Sequence, residues 1–191
     1  MNIGLFGGSF NPIHNGHVWL AKALLRETGL DEVWFMVSPQ NPLKQNRQLL
    51  DDNQRFRLVQ LALKDEPRLR PCDYEFHLPK PSYTWNTLQA LKKDFPMHRF
   101  TLLIGGDNWQ LFDKWYRYED LLREYLIVVY PRQDANPGDM QTASPNVTFV
   151  KVPLINISST MIRERLRLGK NVRGLVPGPV ASVIEQEHLY D

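Results

Sequence analysis

The chain has 191 residues, 42% of them hydrophobic, enough for one sizeable core. A formal net charge of +2 with no long basic block gives no sign of a general nucleic-acid binder and leaves a small anionic ligand open. There is neither a run of about 18 apolar residues nor a basic segment leading into an apolar one at the start, so no membrane span and no signal peptide are expected, and the default compartment is the cytoplasm.

In chain order, residues 2–6 (NIGLF) are mostly apolar and read as a buried strand. Residues 17–29 put Val18, Ala21, Leu24 and Leu25 on one helical face and stop at Gly29. VWFMV at 33–37 is again an apolar run of strand length. Residues 51–67 begin with two aspartates suited to capping, carry the stripe Phe56, Val59, Leu63, and end at Pro67. A more alternating stretch near 72–77 reads as a further strand, and the single cysteine, Cys72, as a small buried residue that excludes an internal disulfide. Residues 84–95 predict a third helix; 101–104, 126–130 and 147–152 predict the remaining strands. The proline-, glycine- and polar-rich stretch 131–146 reads as a surface loop. Trp19, Trp34 and Trp85 are expected in the core, and His77, His98 and His188 receive no functional role.

Apolar runs alternating with amphipathic helices predict an α/β fold, a Rossmann-like doubly wound parallel sheet of about five to six strands with helices on both faces. In such sheets ligands sit beyond the carboxyl ends of the strands, which directs attention to the loops beginning at residues 7, 38, 105 and 131.

The first of these loops, GGSFNPIHNGH at 7–17, matches neither G-x-G-x-x-G nor the Walker pattern. Gly7 and Gly8 still let backbone N–H groups approach a bulky ligand, and a helix starting near Asn15 or Gly16 aims its positive end at the same space. His14 and His17, three apart, can face one ligand. No H-E-x-x-H or C-x-x-C pattern accompanies them, so phosphate donation fits better than metal ligation. A second cluster, NISSTMIRERL at 156–166, opens a helix with Ile162 and Leu166 on its apolar side. It offers the hydroxyls of Ser158, Ser159 and Thr160, with Arg163 one turn in. Taken alone, that cluster is also compatible with ordinary capping.

Together, Gly8-Ser9-Phe10-Asn11-Pro12-Ile13-His14-Asn15-Gly16-His17 and ISSTMIR at 157–163 resemble the nucleotidyltransferase superfamily, and within it the bacterial nicotinate-nucleotide adenylyltransferases. The resemblance covers nearly the whole chain. It implies one domain over 1–191, with the helical part from about 157 to 191 completing an ATP site. It also implies transfer of AMP from ATP to nicotinic acid mononucleotide, giving nicotinic acid adenine dinucleotide and pyrophosphate in NAD biosynthesis. His17 would serve the α-phosphate, and His14, Ser159, Thr160 and Arg163 the triphosphate, with His14, His17 and Arg163 forming the catalytic set. Gly7, Gly8, Ser9, Phe10, Gly105, Asp107 and Ser158 would complete the ATP site. Mg²⁺ would ride mainly on the phosphates, with Asp107 reaching it through water or contacting a ribose; Asp107 can equally cap a helix.

For the acceptor, SYTWNTL at 82–88 and GGDNWQLFDKW at 105–115 resemble segments of the same family. They imply that Tyr83 and Thr84 border the pyridine ring, that Trp115 stacks on it, and that Lys44 meets the acceptor phosphate, with Arg132 a further candidate. Trp115 also has aromatic neighbours Phe112, Tyr116 and Tyr118, so packing is the competing reading. The other functions open are a sister transferase using nicotinamide mononucleotide or phosphopantetheine, and a non-catalytic nucleotide-binding regulator. Homo-oligomerisation is left open.

Overall fold

The computed structural model describes residues 1–39, 49–132 and 144–190. Six strands form one sheet: β1 (Asn2–Gly8), β2 (Glu32–Val37), β3 (Leu69–Cys72), β4 (Arg99–Gly105), β5 (Leu126–Tyr130) and β6 (Val147–Phe149). All pairs are parallel, in the order β3-β2-β1-β4-β5-β6. The chain therefore turns from one half of the sheet to the other between β1 and β4. That is the switch point where such sheets open a crevice at their carboxyl edge.

Seven helices accompany the strands among the described residues: α1 (Asn15–Thr28), α2 (Asp52–Leu63), α3 (Thr84–Asp94), α4 (Gly106–Trp109), α5 (Tyr118–Glu124), α6 (Ser159–Arg167) and α7 (Gly178–Gln186). Strand side chains alternate between faces, and the core divides accordingly. Phe6, Phe35, Leu103 and Val128 join α1, α2, α6 and α7 on one face. Ile3, Leu5, Leu102, Ile104 and Ile127 join α3 and α5 on the other. The stripe Val18, Ala21, Leu24, Leu25 is buried as expected, and α1 stops at Gly29 with φ 64°. Asp51 caps α2 by accepting from the backbone N–H groups of Asn53 and Gln54 at 2.9 and 3.0 Å.

Three expectations need correction. The strand placed near 72–77 lies earlier, at Leu69–Cys72, and Tyr74–His77 forms a 3₁₀ turn. Pro71 is tolerated because β3 is an edge strand, and the apparent alternation of Tyr74 and Phe76 belongs to the turn. The last strand ends at Phe149 rather than 152. Trp19 is not core: it is 50% exposed, one position round the helix from Val18. Trp85 is buried as expected, with the Arg117 guanidinium 4.5 Å from its ring centre, and Trp34 is half-buried against Phe95 and Phe100. No helix among the described residues is long and apolar enough to cross a membrane.

Candidate active site

The carboxyl end of β1 runs directly into the loop that starts α1. Gly7 faces open space where a side chain would stand, whereas a Cβ on Gly8 would press on the Phe10 ring at 3.2 Å. Gly4, further back, makes room for Leu30 and Leu103 and belongs to the core. Phe10, with φ 46°, is buried and meets the His17 ring edge-on at 5.0 Å. Its side chain thus supports a histidine from below. Gly16 has a similar duty, since a Cβ there would come within 2.9 Å of His14 Nδ1.

His14 and His17 stack, ring centres 3.6 Å apart. The His14 backbone N–H donates to His17 Nδ1 at 3.1 Å. A neutral imidazole with an accepting Nδ1 carries its proton on Nε2, so His17 keeps one N–H donor for a ligand. Burial, and secondarily the nearby Arg132 guanidinium, hold His14 down at about 3 instead of 6.5. Burial, His14 and Arg132, in that order, hold His17 well below its ordinary value. Both rings are therefore neutral at pH 7. His14 Nδ1 is buried without a hydrogen-bond partner.

These shifts make a stability prediction. A histidine with a lowered folded-state pKa takes its proton more readily when unfolded, so its effect is absent above about pH 6.5 and grows as pH falls toward the folded value. For His14 the loss should reach about 2 kcal/mol by pH 5, and His17 adds in the same direction. Denaturant midpoints at pH 7.5 and pH 5 should show His14→Asn losing less stability between the two than the unsubstituted protein. Equal losses would mean that the buried ring does not resist protonation.

The second motif is bonded to the first. Ser158 caps α6, its hydroxyl accepting from Met161 N–H at 3.1 Å. Ser159 donates to the Pro12 carbonyl at 2.9 Å, and Arg163 donates to the Asn11 carbonyl at 2.8 Å and to the Thr160 hydroxyl at 3.2 Å. The start of α6 thus holds the 11–12 turn just ahead of the histidines.

Two cavities flank the end of β1. The first, about 210 Å³, is lined by His14, Gly16, His17, Arg132, Ser158 and the 153–157 segment, among others. The second, about 260 Å³, includes Gly7, Gly8, Ser38, Glu75, Thr84 and Trp115 in its lining. Trp115 is half-buried, tilted against Phe112 at 5.1 Å, and so serves both packing and cavity. Arg132, a further acceptor candidate at the end of the fifth strand, lines the histidine cavity, and its Nε lies 3.8 Å from Asp107 Oδ1. Gly105 admits that pairing, because a Cβ there would collide with Asp107 and Arg132. Tyr83 is exposed and packs on Tyr116 at 4.9 Å, outside the cavity lining, while Ser9 is exposed at the loop tip. Lys44 lies outside the described residues.

A family model described as cytidylyltransferase-like matches residues 5–165. A protein named probable nicotinate-nucleotide adenylyltransferase from Bacteroides fragilis (strain YCH46) is 48% identical over 98% of this chain and 94% of its own length. The chain belongs to the nicotinate-nucleotide adenylyltransferase family. A second relative of that name from Flavobacterium psychrophilum is 44% identical over 100% of this chain and 99% of its own. The fold agrees too: the Plasmodium falciparum nicotinic acid mononucleotide adenylyltransferase complexed with NaAD superposes with a TM-score of 0.82 at 20% identity, covering 100% of this chain and 97% of that one.

Within this adenylyltransferase-family chain, two buried charged residues beside the glycine loop and the second cavity are missed by sequence reasoning. Arg55 has no exposed surface and donates to the Ser9 carbonyl at 2.6 Å, the Leu50 carbonyl at 3.0 Å and Asp52 at 2.6 Å. Its signal was available: position 55 shares the inward stripe with Leu58, Val59 and Ala62. Glu75, 8% exposed, sits in the second cavity with no comparable signal. Among the described residues no three His, Cys, Asp or Glu side chains gather as a metal cluster.

Proposed function

We propose that the chain transfers the adenylyl group of ATP to nicotinic acid mononucleotide, releasing pyrophosphate and forming nicotinic acid adenine dinucleotide, a step of NAD biosynthesis. The stacked imidazoles of His14 and His17 beside Arg132 in one cavity, with a separate cavity lined by Trp115 and Thr84, are the observation that carries the chemistry. An ionised phosphate oxygen of the acceptor attacks the α-phosphorus, a new P–O bond forms, and the bond to pyrophosphate breaks. The nucleophile is already anionic, so no protein base is required, and catalysis is positioning plus charge stabilisation. His17 Nε2–H donates to the α-phosphate as charge builds there, preset by the His14 backbone. Arg132 and Arg163 supply positive charge that the neutral histidines cannot. The beginning of α6, latched to Asn11 and Pro12, completes the ATP site. Mg²⁺, held by the phosphates with Asp107 as the nearby carboxylate, would neutralise triphosphate charge when bound. As a reaction of soluble nucleotides it belongs in the cytoplasm.

A pyrophosphate-release assay with ATP and Mg²⁺ should show turnover with nicotinic acid mononucleotide above nicotinamide mononucleotide and phosphopantetheine. Turnover with phosphopantetheine alone would reject the assignment, and tight ATP binding without turnover would make the chain a regulator. Trp115→Ala should raise the acceptor KM by the equivalent of roughly 1–3 kcal/mol, the range of a ring stack on an aromatic side chain. KM for ATP should stay nearly fixed, and Trp115→Phe should recover part of the loss. A fall of about 3–5 kcal/mol in stability with unchanged acceptor KM per folded molecule would make Trp115 a packing residue only.

A further inference from the structure

Glu75 lies in the 3₁₀ turn after β3, and its carboxylate is the only acidic group in the described lining of the second cavity. The Thr87 hydroxyl, itself 1% exposed, donates to Glu75 Oε1 at 2.8 Å. That bond joins positions 75 and 87 and so closes the base of the segment whose middle is Ser82-Tyr83-Thr84. Ser38, just past β2, lines the same cavity, and its hydroxyl draws the carboxyl down. Ser38 in turn donates its backbone N–H to the Gly8 carbonyl at 2.9 Å. The Ser38–Gly8 bond and the Thr87–Glu75 bond thus meet at this cavity, between the glycine loop of β1 and the first turns of α3.

A buried carboxylate is costly unless its oxygens are satisfied, and the Thr87 hydroxyl satisfies one of them with Ser38 beside it. Burial pushes the Glu75 carboxyl up from its usual range, and the Thr87 and Ser38 hydroxyls act against that shift. An apolar residue would fill the same space without tying three elements together. The bonds impose geometry: they fix how far the α3 N-terminus stands from the ends of β1 and β2, and so the width of the cavity that Thr84 and Trp115 line.

We propose that Glu75 is the positioning residue of the acceptor cavity, setting the α3 N-terminus against the glycine loop through Thr87 and Ser38. This rests on the reading of that cavity as the mononucleotide site. Thr87 does not line the cavity, so it offers the discriminating test.

Kinetics with nicotinic acid mononucleotide and ATP should show Thr87→Val and Glu75→Ala losing about 10- to 100-fold in kcat/KM for the acceptor. The loss should lie mainly in acceptor KM, with KM for ATP within about twofold of the starting value. Glu75→Gln, which keeps one acceptor oxygen, should fall between. Amide exchange on the ligand-free variants should quicken across 83–88 and stay unchanged in the first turn of α1. A Glu75→Gln effect without a Thr87→Val effect would make Glu75 a direct contact and overturn the proposal. So would reduced denaturant midpoints with unaltered acceptor KM per folded molecule, or unchanged exchange at 83–88. If the unsubstituted protein does not turn over the mononucleotide, the functional assignment fails instead, and the exchange measurement still decides the role of Glu75.

Discussion

His17→Ala should lower kcat by roughly 10²–10³, the cost of removing one preset donor from a developing oxyanion. KM for ATP should change much less, because the donor acts mainly as charge develops. The expectation follows from geometry. His17 Nδ1 is committed to the His14 backbone N–H, so Nε2 must hold the proton, and the ring is clamped between His14 and Phe10. Since burial and neighbouring positive groups keep both imidazoles neutral, kcat should show no inflection near pH 6.5 from either ring. A His17→Ala enzyme with wild-type kcat and a raised KM for ATP would make the residue a ground-state binder.

How far the site could be read from sequence depended on whether its parts are local. β1, α1 and the histidine pair are local: an apolar run, a helical stripe and a glycine stop fix them within thirty residues. The hydroxyl cluster at 158–160 was equally plain as a helix start, but its bonds to Asn11 and Pro12 span some 150 positions and have no sequence signature. Arg132 shows a further limit. Its place just after β5 put it at the carboxyl edge, but its side of that edge depends on the turn after the strand, and it joined the histidines. β3 was misplaced because an edge strand of four residues carries little periodicity and Pro71 removes one donor. Glu75 looks in sequence like a member of a solvated face, and only its tertiary partners make it interior; Arg55 does stand on the inward stripe of α2, but its charge hides that place.

Arg55 supports the last prediction. Its guanidinium is fully buried and all three of its bonds go to different elements: Ser9 in the glycine loop, Leu50 ahead of α2, and Asp52 in the first turn. Arg55→Met keeps a flexible stem of similar reach and removes every donor. Asp52 is partly exposed and can rehydrate, as can the Ser9 carbonyl at its exposed loop, so these two losses are moderate. The Leu50 carbonyl is more enclosed, and an unmet buried acceptor costs about 1–3 kcal/mol. Stability should therefore fall by about 3 kcal/mol, within the lower part of the range for breaking a buried charged network. Because Ser9 opens the turn that Arg163 and Ser159 grip from the other side, its release should also loosen the histidine loop. At temperatures where the variant is folded, kcat/KM for ATP should drop about tenfold or more. Arg55→Lys should not rescue it, since a single ammonium cannot serve three acceptors set in a fork. Urea midpoints with matched slopes, beside kinetics on the folded fraction, separate the two effects. A methionine variant within about 0.5 kcal/mol of the parent, with unchanged ATP kinetics, would reduce Arg55 to filler.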